Sequence, residues 1–293
     1  MKKLLAFILV LAACLPAAFA RDIPAMVDVA WLEANLSAPK IVVMDLRKVE
    51  DYKAGHIPGA VNVIGAGVYV KAGDINNEVP AADDLTDILR AAGVNADSRV
   101  VVVESDGSRF AWATRVAWTL KYAGLESVAV LDGGYAAWTK AGKAVQTESP
   151  AAKKGAFTVQ FVPAFFSDKA YLLGAKAAQI VDARSYDSYF GVAKAAFVAQ
   201  AGHFPGAWPL PNSWIIGADG LVKPAAELGA TAIKLGLNPK LETIVYCDSG
   251  VLATTWWWVM SEILGWPNVR SFDGSSQVLA ADPSVKYVTL TWR

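Results

Sequence analysis

Short β-branched runs punctuate the chain: "IVVMD" from Ile41, "RVVVVES" from Arg99, "QIVDAR" from Gln179 and "TIVYC" from Thr243 are apolar almost throughout and end in a charged or reactive residue. Runs of this length with no polar alternation are central strands of a parallel sheet, buried on both faces. The longer stretches after Asp106 and Cys247 read as helices. Strands alternating with helices predict an α/β fold, each domain a mainly parallel sheet with helices on both faces. Residues 139–163 are polar, poor in large apolar side chains and punctuated by Pro and Gly, which marks a linker. The expected division is a first domain over 21–145, a linker over 146–165 and a second domain over 166–293.

The two domains repeat one pattern. "IVVMDLR" followed by "GHIPGAVNV" recurs as "QIVDAR" followed by "GHFPGAWPL". The stretch "DGSRFAWATRVAWTLKYAGLESVAVLDGG" from Asp106 aligns without gaps to "CDSGVLATTWWWVMSEILGWPNVRSFDGS" from Cys247. That alignment pairs Gly124 with Gly265, Asp132 with Asp273, and Asp106 with Cys247. Both histidines, His56 and His203, sit in the repeated Gly-His-x-Pro-Gly-Ala turn, which favours a structural role. Trp256, Trp257 and Trp258 follow one another on a helix and cannot share a face. They are expected to wedge between the sheet and the other domain, as Trp112 and Trp118 would in the first half.

Composition narrows the chemistry. Lys plus Arg and Asp plus Glu both number 27, with no basic run, so nothing points to nucleic acid. The first twenty residues carry Lys2 and Lys3, an apolar run from Leu4 to Ala13, and the small-x-small ending Ala18-Phe19-Ala20. This is the pattern of a cleaved secretory signal and predicts export to the periplasm. The alternative is a lipoprotein anchored at Cys14 in "LAAC". No other stretch is long and apolar enough to span a membrane, so no stable membrane insertion is expected after cleavage. Cleavage after Ala20 leaves Cys247 as the one cysteine, either a small buried filler or a thiol that is used.

Two ordered copies of Asp-x-Arg, Gly-His-x-Pro-Gly-Ala, a strand ending in a short loop before a helix, and Asp-Gly resemble the tandem rhodanese family over residues 22–293. The resemblance implies a thiosulfate or 3-mercaptopyruvate sulfurtransferase with a silent first domain, Asp106 standing at the cysteine position. It implies a catalytic Cys247 that takes sulfane sulfur from a small anionic donor as a persulfide and passes it to cyanide or a thiol, including a protein thiol of the periplasm. Substrate would be held by Arg184 and by the loop residues Asp248, Ser249, Gly250, Val251 and Leu252. No cofactor is implied, and no set of three or four metal ligands can be assembled.

The reacting species is the thiolate, whose charge the loop N–H groups of residues 248–252 and the following helix would stabilise. Gly250 permits a left-handed backbone angle. Ser249 would bond the thiolate or donor, or cap the helix. Arg184 would bind the donor's anionic part, or pair with Asp182 or Asp187. "CDSGVL" resembles the mercaptopyruvate-type loop at Ser249, Gly250 and Val251 but departs from it at Asp248, whose carboxylate is expected to point to solvent. Residues 272–279, "FDGSSQVL", also depart from the family, which has tryptophans where Ser276 and Leu279 stand. Two rivals remain: a rhodanese-like sulfur-carrier or binding protein without catalysis, and a cysteine phosphatase or arsenate reductase, which would need an arginine where Ala253 stands.

Overall fold

The computed structural model describes residues 21–290 other than Ala152. The secretory signal, its cleavage site and the alternative anchor at Cys14 lie outside the described residues. Among the described residues no helix is long and apolar enough to cross a membrane.

In the first half the strands are, in chain order, β1 (Met26–Val27), β2 (Ile41–Asp45), β3 (Val61–Asn62), a hairpin pair β4 (Val70–Ala72) and β5 (Ile75–Glu78), then β6 (Arg99–Val103) and β7 (Ser127–Leu131). The second half contributes β8 (Phe166–Ser167), β9 (Gln179–Asp182), β10 (Trp208–Pro209), β11 (Thr243–Tyr246) and β12 (Val269–Phe272). They form two five-stranded sheets, ordered β1-β7-β6-β2-β3 and β10-β9-β11-β12-β8, with every pairing parallel. The β-branched runs take the centres: Val100 to Val103 on β6 and Ile244 to Tyr246 on β11 are fully buried. Two-sided burial explains why these strands are apolar at every position.

The register corrects the pairing of Asp106 with Cys247. Val102 lies between Met44 and Val130, as Val245 lies between Val181 and Ser271. Leu46 N–H bonds the Val103 carbonyl as Ala183 N–H bonds that of Tyr246. Tyr135 and Ala136 donate to the carbonyls of Glu104 and Ser105, as Ser276 and Gln277 donate to those of Cys247 and Asp248. Glu104 is therefore the counterpart of Cys247, and Asp106 lies two residues beyond it. An ungapped comparison misses this because the helix after the first loop spends two more residues in reaching Gly124 than the second spends in reaching Gly265.

The halves clasp each other reciprocally. The β4–β5 hairpin, which the sequence pattern did not reveal, reaches across to the second half, where Val79 N–H donates to Asp273 Oδ2 at 3.0 Å. In return, the loop closed by the Ile216–Val222 bridge reaches the first half, where Val222 N–H donates to Asp132 Oδ1 at 2.9 Å. Between them the helix Phe110–Tyr122 packs on Ala253–Trp257, with the hydroxyls of Thr114 and Thr254 3.2 Å apart. One cluster of buried side chains runs through both halves, from Val102 and Trp118 to Val245 and Trp256. Trp256, Trp257 and Trp258 are all fully buried. Trp256 bonds the Pro211 carbonyl, Trp257 bonds that of Val269 and meets Phe165 edge-on, and Trp258 lies under the Arg21 guanidinium. The linker is pinned along the first domain: Gly155, Phe157, Gln160 and Val162 donate to the carbonyls of Arg90, Val94, Ala123 and Tyr122.

A buried ion pair fastens this interface. Arg115, fully buried, binds Asp273 and the Asn77 carbonyl, and its Nη1 lies 3.3 Å from the Gly250 carbonyl. Removing one partner of such a pair strands a buried charge at a cost of about 3–5 kcal/mol. Arg115→Met should lower unfolding stability in urea by that amount, and adding Asp273→Asn should recover much of it. Simple additivity of the two losses would contradict the coupling.

Glu78, on the hairpin, is pushed up to about 7 by burial and by the charge of Asp273, with Arg115 opposing. A carboxyl raised from 4.5 in this way binds a proton more tightly in the folded chain. Its contribution is present below the unfolded value and is lost as pH rises through about 7. Glu78→Gln should therefore flatten the fall in Tm between pH 5 and 8, a window set by those values; an unchanged slope would assign that fall to other groups.

Candidate active site

β11 ends at Tyr246, and the chain turns through residues 247–252 into the helix Ala253–Trp257, which continues as a π-helical turn over Trp258–Ile263. This puts Cys247 at the carboxyl end of a central parallel strand, where open α/β sheets bind ligands. The sulfur is almost wholly buried, with Cys247 1% exposed. The amides of Ser249 and Ala253 are close enough to favour its anion, and the Ser275 hydroxyl, which donates to the Phe272 carbonyl at 2.7 Å, lies 3.8 Å away. Of the run 248–252, from which a cradle of amides was expected, only Ser249 acts on the sulfur; Ala253, beyond the run, is the second.

Gly250 turns the loop at φ +78°, and a Cβ there would meet the Asp273 carbonyl at 2.4 Å, so only glycine fits. Its N–H is spent on Ser275 Oγ at 3.1 Å, which also accepts from Cys247 N–H at 3.1 Å. Ser275 itself sits at φ +49°, a region non-glycine residues rarely enter. The first half has Gly134 at that point, with φ +62°. The Ser249 hydroxyl neither caps the helix nor faces the sulfur; it accepts from Asn77 Nδ2 of the hairpin at 2.9 Å. Val251 is buried, and the half-buried Leu252 packs against the shared core. Their carbonyls receive the Thr254 and Thr255 hydroxyls at 2.7 Å.

Arg184 is 1% exposed and forms the anticipated pair with Asp182: Nε reaches Oδ1 at 2.9 Å, Nη2 reaches Oδ2 at 2.7 Å, and Nη2 also donates to the Gly202 carbonyl. Arg47, Asp45 and Gly55 make the same three contacts in the first half. This arrangement therefore belongs to the fold in both halves, and what distinguishes Arg184 is Nη1. That atom faces Asp248 Oδ1 at 3.5 Å. The Asp248 side chain, expected in solvent, is only 22% exposed and leans inward on Arg184. Burial and the charge of Asp182 push its carboxyl up, against the pull of Arg184. His56 and His203 stack on Tyr52 and Tyr189 at 3.8 and 3.7 Å, with Nδ1 on those residues' carbonyls, and have no contact with the loop.

Four residues at the site had no site role in the sequence reading: Ser275, Asp273, Arg115 and Asn77. Asp273 left a signal as the repeated Asp-Gly, and Ser275 as a serine aligned with the second glycine of "DGG". Arg115 and Asn77 reach the site from the other domain.

A model of the rhodanese-like domain matches residues 28–141 and again 168–282. The chain belongs to the rhodanese family. A sulfur carrier protein of Thermus thermophilus, TtuD, is 27% identical over 264 residues, covering 85% of this chain and 91% of that one. A thiosulfate sulfurtransferase of Pseudomonas aeruginosa is 29% identical over 259 residues, covering 87% and 93%. The 3-mercaptopyruvate sulfurtransferase SseA of Escherichia coli superposes with a TM-score of 0.76 at 27% identity, covering 86% of this chain and 99% of that one. These relatives support sulfurtransferase activity for the chain.

Within this rhodanese pair the electrostatics at Cys247 oppose the reactive form. Burial first, and the Asp248 carboxylate second, push the thiol up, and the amides of Ala253 and Ser249 with the Ser275 hydroxyl offset this only in part. Asp248→Asn should lower the pH midpoint of Cys247 alkylation by a small reagent such as iodoacetamide. An unmoved midpoint would show that the carboxylate charge does not reach the sulfur.

Proposed function

We propose that Cys247 carries sulfane sulfur from a small anionic donor, 3-mercaptopyruvate or thiosulfate, to cyanide or a thiol. The observation that carries this reading is a buried thiol at the carboxyl end of a central parallel strand, with the amides of Ser249 and Ala253 close enough to favour its anion. With thiosulfate, the thiolate attacks the outer sulfur, the S–S bond breaks and sulfite leaves with the bonding pair. Cyanide then attacks the outer sulfur of the Cys247 persulfide, thiocyanate departs and the thiolate returns. With 3-mercaptopyruvate the C–S bond breaks, and the enolate of pyruvate leaves and takes up a proton. The persulfide anion gains more from the amides than a neutral group would, and the two half-reactions predict ping-pong kinetics.

Asp248 favours the singly charged donor. Its carboxylate stands beside the sulfur and against Arg184, so a dianion meets like charge on its approach. A carrier that hands sulfur to a protein thiol is the second reading, supported by the likeness to a protein named a sulfur carrier. The pattern of the first twenty residues supports a periplasmic setting for either activity.

Intact-mass measurement after incubation with each donor tests the reading. One added sulfur atom is expected on the wild type and none on Cys247→Ser; no adduct with any donor would overturn it.

A further inference from the structure

Cys247 is almost wholly buried, so a donor or acceptor reaches its sulfur only when part of the surround moves. The β4–β5 hairpin of the first domain is seated on that surround. Asn76 and Gln277 bond reciprocally, the Asn76 N–H reaching Oε1 at 3.0 Å and Gln277 Nε2 reaching the Asn76 carbonyl at 2.8 Å. Asn77 holds Ser249, two residues after Cys247, and the Gln277 N–H holds the Asp248 carbonyl at 3.0 Å. The hairpin thus grips the loop after β11 both directly and through Gln277. Its hold is mainly polar: every residue of 70–79 is half-buried or exposed, and segments that bury little apolar surface are the first to open.

Glu78 enters this seat with Oε1 buried and without a hydrogen-bond partner. The charged groups that face it are Asp273, beyond the end of β12, and Arg115, on the helix Phe110–Tyr122. Those two are already paired with each other, and the hydrogen bonds of Arg115 go to Asp273, Gly250 and Asn77. Ionised, Glu78 would be a second carboxylate against one guanidinium, with a buried oxygen that no donor satisfies. Protonated, it brings no charge into the seat.

We propose that the hairpin is a gate over Cys247, shut while Glu78 is protonated and lifted when Glu78 ionises. The proposal takes the purpose of the gate from the reading of Cys247 as the sulfur carrier, but it is tested on the thiol and the hairpin themselves. Lifting releases Ser249 and Gln277 together and admits water and small molecules to the sulfur. Access therefore rises with pH in the same direction as thiolate formation, and below neutrality the lone thiol is kept both closed off and protonated.

Seated, the Glu78 carboxyl stands at about 7, and released to water it returns to its ordinary 4.5, so the lifted fraction should grow about tenfold between pH 6 and 8. Amide hydrogen exchange of the full-length protein reads this on the segment 68–80. After division by the intrinsic rate, protection should fall about tenfold from pH 6 to 8 in the wild type and stay level in Glu78→Gln. A segment that is level in the wild type, or protected as strongly as β6 and so opened only by global unfolding, would overturn the gate even if the variant fails to fold. Alkylation of Cys247 by iodoacetamide at pH 8 gives an independent sign. The gate predicts slower reaction in Glu78→Gln, whereas removal of a negative charge acting only on the thiol would speed it; equal or faster reaction would overturn the gate. Failure of any donor to add sulfur would remove the transfer reading and leave these outcomes as they stand.

Discussion

A polar or reactive side chain buried at the end of a parallel strand has lost its water and must find its partners among backbone N–H groups and neighbouring loops, and both halves of this molecule are shaped by that requirement. The first half meets it with a carboxylate. Glu104 is nearly buried, takes the Ser105 N–H at 2.9 Å and has Arg109 at 3.5 Å. The second half places Cys247 at the same point, where the amides of Ser249 and Ala253 favour its anion against burial and Asp248. The two halves thus hold a carboxyl side chain and a thiol at one point of the same strand-loop-helix frame.

The first domain also supports the second. Its hairpin supplies Asn77 to Ser249 and Val79 to Asp273, and its Arg115 binds both Asp273 and the Gly250 carbonyl. Two contacts on the loop after β11 and two on Asp273 beside it thus begin in the first domain. The strained neighbour of the loop is Ser275, a non-glycine residue in the left-handed region, which persists only where surrounding contacts enforce it. The reciprocal contact of Val222 with Asp132 shows the same device serving the first domain's loop.

Much of this was legible in the residues. Apolar, β-branched runs marked the central strands, and Gly-His-x-Pro-Gly-Ala marked turns whose histidines stack on Tyr52 and Tyr189. The repeat showed that the fold does not require a thiol at the end of β11. Three features were not legible, each for a physical reason. The register at Glu104 depends on hydrogen bonds between strands far apart in sequence, and helices of unequal length disguise it. The inward turn of Asp248 depends on Arg184, whose Nη1 is left over only because Asp182 and Gly202 take the other nitrogens. The β4–β5 hairpin is short and half-exposed, and what fixes it lies on the other domain, so local pattern carries little of its signal.

The central claim is that the exchangeable sulfur resides on Cys247 inside this ring of donors. A crystal structure of the sulfur-loaded protein tests it most directly. The account predicts a second sulfur bonded to Cys247 Sγ and within hydrogen-bond reach of the Ser249 and Ala253 N–H groups, with the hairpin still seated on Ser249. Density for the added sulfur anywhere else, or a persulfide turned away from those amides, would contradict it.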